Sequence, residues 1–273
     1  MHLFLGTAGI PLGAGGSTIE GIEYVRKIGL NAMEVEFVRG VNMGPGTAKL
    51  AGEASADHGV RLSVHAPYFI NLCNPDKKRA SEKRITDSCE RAHTLGANIV
   101  VFHAGFYGDL SRKQALEEVI DSCLRMSAWM DKRGISGVSL GIETTGKKSQ
   151  FGEVEEIVEV CRSVRACAPV IDFAHIYARQ GGHMDTGIIF SSIKPLHLGH
   201  LNTHFSGIEF NASGERRHLP IGKGGPDFRS VARAVAQNMR SATVICESPL
   251  LEKDALKMKK IFESLGQEIW KPR

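Results

Sequence analysis

The stretch Leu95-Gly96-Ala97-Asn98-Ile99-Val100-Val101-Phe102-His103-Ala104-Gly105 decides the fold. A helical pattern stops at a glycine, an unbroken apolar run follows, and a histidine stands where that run ends. A helix that closes on Gly and leads at once into a buried strand is the usual αβ connection. The apolar run suits a strand covered on both faces, as in a parallel sheet.

The same order recurs on either side of this stretch. Strand-like runs occupy Leu3 to Ala8, Ala32 to Val38, Arg61 to Pro67, Asn98 to Gly105, Ser139 to Thr144, Val170 to His175, Leu201 to Ser206 and Ala242 to Ser248. Between them lie segments with apolar residues at helical spacing, such as Ala115, Val119, Cys123, Met126 and Met130, or Val154, Ile157, Val158, Cys161 and Val164. Ser17-Thr18, Ser111 and Asp227 mark helix entries, and glycine turns at Gly29, Gly59 and Gly137 precede strands. Eight strands alternating with about eight helices predict an α/β protein, a (β/α)8 TIM barrel forming one domain over residues 1–273. An open doubly wound sheet is disfavoured, because Gly13, Gly15 and Gly16 after the first strand lack the G-x-G-x-x-G spacing.

Composition agrees with that size of core. The chain has 273 residues, 42% apolar and 23% charged, which excludes a disordered chain. No apolar run reaches the roughly 20 residues of a spanning helix, and Met1 to Gly9 has neither a basic n-region nor a long h-region, so no membrane partner is expected. A net charge of +4, from 34 cations and 30 anions, permits a polyanionic partner without requiring one. The six cysteines, Cys73, Cys89, Cys123, Cys161, Cys167 and Cys246, form no C-x-x-C pair and read as reduced thiols of a cytoplasmic protein.

In a barrel of this kind the reactive face is built at the carboxyl ends of the strands. Strand three ends in Ser63-Val64-His65-Ala66-Pro67 and strand four in Phe102-His103-Ala104-Gly105. Strand five ends in Gly141-Ile142-Glu143-Thr144, strand six in Ile171-Asp172-Phe173-Ala174-His175, strand seven in Thr203-His204-Phe205 and strand eight in Cys246-Glu247-Ser248. Six consecutive strands thus end in His, Asp or Glu, one per βα unit. A single such group would be a solvated side chain; six in succession are a site.

Three imidazoles and three carboxylates meeting at one mouth conflict unless cations join them, since carboxylates repel and burial disfavours their charge. The mixture, without a ligating cysteine, suits zinc, manganese or iron. Six ligands exceed what one tetrahedral ion uses, so at least two ions are expected. His175 just past strand six, with Glu215 and His218 in the loop after strand seven, would extend the set to a third. Glu34 and Glu36 alternate with Val35 and Phe37 on strand two, and a hydrogen-bonded structural carboxylate is the expectation for Glu36. His2, His58, His93 and His197 fall away from the reactive face.

These residues resemble endonuclease IV, the metal-dependent apurinic/apyrimidinic endonuclease family within the xylose isomerase-like barrels. The likeness is carried by His65-Ala-Pro-Tyr68-Phe-Ile-Asn71-Leu, Phe102-His103-Ala-Gly105, Gly141-Ile-Glu143-Thr-Thr, Ile171-Asp172-Phe-Ala-His175, Arg217-His218-Leu-Pro-Ile-Gly222-Lys-Gly224 and Cys246-Glu247-Ser-Pro249. The resemblance implies a zinc-dependent phosphodiesterase of DNA repair that cuts damaged double-stranded DNA 5′ to an abasic site. It implies two or three Zn2+ ions, with Mn2+ an alternative at one site. Glu143 would bridge two ions and orient the nucleophile; His65 and His103 would complete one ion, Asp172, His204 and Glu247 the other, and His175 and His218 the third. The family's Asp in the strand seven to eight loop is here Arg216, so Glu215, one residue earlier, is the candidate substitute.

For DNA contact the resemblance points to Tyr68 as a wedge in the base stack, assisted by Arg39 and Arg217, in a protein expected to act as a monomer. Lys147, Lys148, Arg179, Arg216, Arg217 and Lys223 all follow strand ends and could form a basic rim. The rival is a sugar isomerase or epimerase of the same barrel group, holding one ion through Glu143, Asp172, His204 and Glu247; it leaves His65, His103, His175 and His218 idle. A DNA-binding module without catalysis would leave the whole ligand set unused.

Overall fold

A computed structural model describes residues 1–270; the last three residues of the domain expected over 1–273 lie outside the described residues. The barrel is built of β1 (His2–Ala8), β2 (Ala32–Glu36), β3 (Arg61–His65), β4 (Ile99–Phe102), β5 (Ser139–Glu143), β6 (Cys167–Asp172), β7 (Leu201–Phe205) and, after a two-stranded hairpin of β8 (Gly207–Asn211) and β9 (Gly214–Leu219), β10 (Ser241–Cys246). The eight barrel strands pair in parallel in chain order, and β1 closes the ring by pairing with both β2 and β10. The helices are α1 (Thr18–Lys27), α2 (Pro45–His58), α3 (Pro75–Leu95), α4 (Arg112–Lys132), α5 (Val154–Ser163), α6 (Phe173–Arg179), α7 (Thr186–Ile193), α8 (Phe228–Asn238) and α9 (Glu252–Ser264). The expected TIM barrel is therefore the fold. None of these helices is long and apolar enough to cross a membrane.

Local chemistry accounts for the boundaries. Ser17 and Ser111 close capping boxes with Glu20 and Gln114, and Asp227 accepts from the Ser230 amide. Gly96 ends α3 at φ +69°, a left-handed conformation that costs glycine little, and its amide bonds back to the last turn. That turn delivers the chain into β4.

The strands differ from the expected runs by up to three residues at their ends, and two differences bear on the site. The sixth strand is Cys167–Asp172 rather than a run from Val170 to His175, because the Asp172 carboxylate accepts from the His175 amide at 2.6 Å and starts α6 at once. The segment after β7, expected as a loop, is the β8–β9 hairpin. The Asn211 side chain accepts from the Ser213 amide at its turn, a feature that Asn211-Ala212-Ser213-Gly214 could have announced.

Strand alternation positions the site. Leu3 and Leu5, Met33 and Val35, Leu62 and Val64, Val100 and Phe102, Leu140 and Ile142, Leu201 and Phe205 all join the main core between barrel and helices. Residues of the opposite parity face the lumen, where Ile99, Val101 and Val170 form a separate apolar plug with Ala168. Each such side chain contributes about 1.5–3 kcal/mol by leaving water. Two positions beyond Val101 and Val170 stand His103 and Asp172. The parity that fills the plug is the parity that aims strand-end groups at the mouth.

Candidate metal centre

His65, His103, Glu143, Asp172, His204 and Glu247 all share the lumen-facing parity and converge above the plug. Glu143 is the hub. Its Oε2 lies 2.8 Å from His103 Nε2 and 3.4 Å from His65 Nε2. Its Oε1 lies 3.0 Å from His204 Nδ1 and 3.4 Å from His175 Nδ1. Each carboxylate oxygen therefore faces a different pair of imidazoles. Glu247 Oε1 is 3.1 Å from the same His204 Nδ1.

His175 reaches the centre from α6. Its Nδ1 lies 2.9 Å from the Thr144 carbonyl, and its Nε2 is turned toward Glu215 Oε2 at 3.5 Å. The hairpin supplies Glu215 and His218, with Glu215 Oε1 3.8 Å from His218 Nε2. Two glycines permit that approach. A Cβ on Gly146 would fall 2.5 Å from the Glu215 Cβ, and one on Gly214 would fall 2.1 Å from the Gly146 carbonyl oxygen. The Glu215 amide bonds to the same Gly146 carbonyl, so the β5 loop and the hairpin lock together with the carboxylate between them. His218 is held from its other side by Ser206 at 2.6 Å.

The donors fall into four sets close enough to hold ions: His65, His103 and Glu143; His175, Glu215 and His218; Glu143, Asp172, His175 and Glu247; and Glu34, His204 and Glu247. His204 thus groups with Glu34 and Glu247, and Asp172 with Glu143, His175 and Glu247. Buried polar atoms without hydrogen-bond partners cluster at the same place: Asp172 Oδ2, His175 Nε2, Glu247 Oε2, Glu34 Oε1 and Glu36 Oε1. Buried oxygens and nitrogens left without partners are costly unless something completes them. A donor set of imidazole and carboxylate without thiol fits zinc or manganese.

Electrostatics show the same crowding. Burial pushes the Asp172 carboxyl up to about 8, against the pull of His175. Burial likewise raises Glu36 to about 8, with His65 opposing. For His65, burial is outweighed by Glu36 and Glu143, which push the ring up to about 10. Glu143 lies well below the usual carboxylate range, because His103 and His204 overcome its burial. Neighbouring groups are driven in opposite directions, as expected where charges are buried together.

Two sequence expectations need correction. Arg179 is no rim cation: it is buried, donating to the Gln150 carbonyl at 2.9 Å and to Thr145 Oγ1 at 3.2 Å while pairing with Glu153 at 3.3 Å. Glu36 is no hydrogen-bonded structural carboxylate, since its Oε1 is unpartnered. Of the two strand-two carboxylates only Glu34 is hydrogen-bonded, its Oε2 accepting from Ser63 while its Oε1 stays unpartnered. Arg39 is exposed, as are Arg216 and Arg217, which both pair with Glu209 across the hairpin, at 3.3 and 2.7 Å. Tyr68 is 60% exposed, its ring 5.7 Å from that of His65.

A closed parallel barrel with this donor ring defines the class, and residues 22–265 match the family model for xylose isomerase-like TIM barrels. The chain belongs to that family. It is 36% identical to an uncharacterized protein of Methanocaldococcus jannaschii, covering 96% of this chain and 98% of that one. It is 26% identical to a probable endonuclease 4 of Mycoplasma mobile, over 76% of this chain and 75% of that protein. Among solved structures, endonuclease IV from Thermus thermophilus superposes with a TM-score of 0.67 at 16% identity, covering 94% of this chain and 96% of that one. A 3-keto-D-glucoside 4-epimerase from E. coli superposes with a TM-score of 0.68 at 15% identity, covering 97% and 99%. Both structural likenesses are of fold, so the choice between chemistries rests on the donor set.

Proposed function

We propose that this chain is a zinc-dependent apurinic/apyrimidinic endonuclease that hydrolyses the phosphodiester 5′ to an abasic site in damaged double-stranded DNA, leaving a 3′ hydroxyl. The observation that carries this reading is the position of His65, His103, His175 and His218. They stand around Glu143 and Glu215, beyond the four residues that a one-ion sugar isomerase needs. Two or three divalent ions held there would lower the pKa of a bound water and neutralise charge on the attacked phosphate and the leaving oxygen.

The chain's own residues have distinct tasks. Glu143, with its two oxygens facing different imidazole pairs, belongs to both the first and the third donor sets, so it would join two ions and orient the attacking water. His65 and His103 hold one side; Asp172, His204 and Glu247 hold the other. Glu215, seated between Gly146 and Gly214, takes the place of the family's aspartate beside His175 and His218. Tyr68, exposed above His65, fills the gap left in the base stack, with Arg39 and Arg217 touching the backbone. An abasic nucleotide lacks stacking and pairing, so swinging it into the mouth costs less than flipping an intact one. Six free thiols suit a cytoplasmic enzyme.

One observation favours the epimerase reading: Glu34 and Glu36 add two lumen-facing carboxylates, more negative charge than a phosphate site requires. Metal content separates the two, with one ion per chain for an epimerase and two or three for the nuclease. The direct test incubates the purified protein with a duplex carrying a single abasic site. A single 5′ incision that disappears on chelation and returns with zinc is the expected result; an uncut lesion duplex with the metal complement full overturns the reading.

A further inference from the structure

Glu34 is a carboxylate in the barrel lumen that the strand-end pattern does not include. It lies within β2, fully buried, and its side chain reaches across the lumen to β7, from which β1 and β10 separate β2 in the ring. Its Oε2 accepts a hydrogen bond from Ser63 Oγ at 2.7 Å, and Ser63 is its register partner on β3. Its Oε1 has no hydrogen-bond partner and stands 3.1 Å from His204 Nε2, in contact but off the N–H line.

The other face of the same imidazole completes the picture. Without a cation, His204 Nδ1 is hydrogen-bonded to Glu143 Oε1 at 3.0 Å, and Glu247 Oε1 stands 3.1 Å from the same nitrogen. One ring nitrogen cannot donate in line to both oxygens, whereas a lone pair at Nδ1 and the two carboxylates can share one cation. For Nδ1 to carry that lone pair, the proton of a neutral ring must sit on Nε2, and Nε2 faces Glu34. A carboxylate that takes the distal N–H of a ligating histidine fixes its tautomer and its angle.

We propose that Glu34, anchored by Ser63, is a positioning residue of the metal centre: with a cation at His204 Nδ1, the 3.1 Å contact between His204 Nε2 and Glu34 Oε1 would close into an N–H···O bond that holds the ring toward the cation shared with Glu143 and Glu247. The relay runs from β3 through β2 to β7, tying three strands to one ligand. It rests on the metal centre of the proposed function and not on the substrate assigned there.

Metal binding is the readout, independent of turnover. Ion content and competition against a chromogenic chelator are measured for the full chain and for Glu34→Ala, Glu34→Gln, Ser63→Ala and the Ser63→Ala/Glu34→Ala pair. Glu34→Ala is expected to weaken one ion per chain by roughly 10- to 100-fold. Glu34→Gln keeps an acceptor oxygen for Nε2–H and should restore most of that affinity. Ser63→Ala should weaken the same ion less, and the pair should be no worse than Glu34→Ala, because Ser63 acts only through Glu34. A folded Glu34→Ala chain with the parental affinity for every ion overturns the proposal, as does additive loss in the pair. Should Glu34→Ala fail to fold, parental affinity in Ser63→Ala overturns it equally. A wild-type chain that binds no ion sinks the function reading together with this one, whereas tight binding in Glu34→Ala sinks this one alone.

Discussion

His200 and His204 bracket the same strand and live in opposite electrostatic worlds. His200, at the amino end of β7, has Nδ1 2.7 Å from Ser241 Oγ and Nε2 2.8 Å from Thr243 Oγ1. Burial, reinforced by the Arg61 cation, pushes it down to about 4. His204, at the mouth, meets Glu34, Glu143 and Glu247, which overcome its burial and hold it well above the ordinary histidine value. The floor satisfies a neutral ring with hydroxyls and needs nothing more. The mouth surrounds its ring with carboxylates and leaves Glu34 Oε1 and Glu247 Oε2 without hydrogen-bond partners, and that unfinished bonding is what a cation would complete. In eight-fold barrels the two ends divide stability from chemistry, and this strand carries both within its own length.

That division is most exposed at Glu143. If the mouth is the reactive end, Glu143→Gln should lower incision of an abasic-site duplex by roughly 10²–10⁴-fold while the chain still folds. Its turnover is followed with gel-resolved product ends at a saturating metal concentration. Cleavage at the parental rate would remove Glu143 from the catalytic role and dissolve the contrast between the two ends.

Tyr68 tests a finer division within the mouth itself, between holding metal and holding DNA. Stacking of a base on an aromatic ring contributes about 1–3 kcal/mol, so Tyr68→Ala should weaken binding of the lesion duplex by roughly 5- to 100-fold. Metal content should stay at the parental value. Equal losses of metal and DNA would mean that the ring, 5.7 Å from His65, only buttresses the ligand beneath it.

Much of the mouth was legible because two simple periods coincide: one βα unit per ligand along the chain, and alternate residues facing the lumen within each strand. His65, His103, Glu143, Asp172, His204 and Glu247 satisfy both. Glu34 satisfies only the second, since it lies inside its strand rather than at the end, and no sequence pattern tells which side chains meet across a lumen. Arg179 escapes the pattern for a related reason: a cation after a strand end looks exposed, yet α6 begins directly after β6 and turns it beneath the β5 loop, where backbone carbonyls need a donor. Glu215 is a candidate only through the resemblance, which sets an aspartate where this chain has Arg216. Its placement depended on a hairpin and on two glycines far apart in sequence, Gly146 and Gly214, whose close approach only the folded chain reveals.

The floor offers the smallest and most specific test. Its folded-state value of about 4 lies below the ordinary 6.5, so as pH falls through 6.5 the unfolded chain takes up a proton that the buried ring refuses. The stabilisation is complete above that point and is lost progressively until about 4. His200→Gln can still bond to Ser241 and Thr243 but does not titrate. Between pH 7 and 4.5 the parental protein should therefore lose about 1–2 kcal/mol more stability than the variant, after discounting for the ring's partial exposure. Urea midpoints at the two pH values, with both proteins in the same metal state, give the difference. Parallel declines would mean that the floor histidine is protonated along with the rest, and that the hydroxyl pair does not hold it neutral.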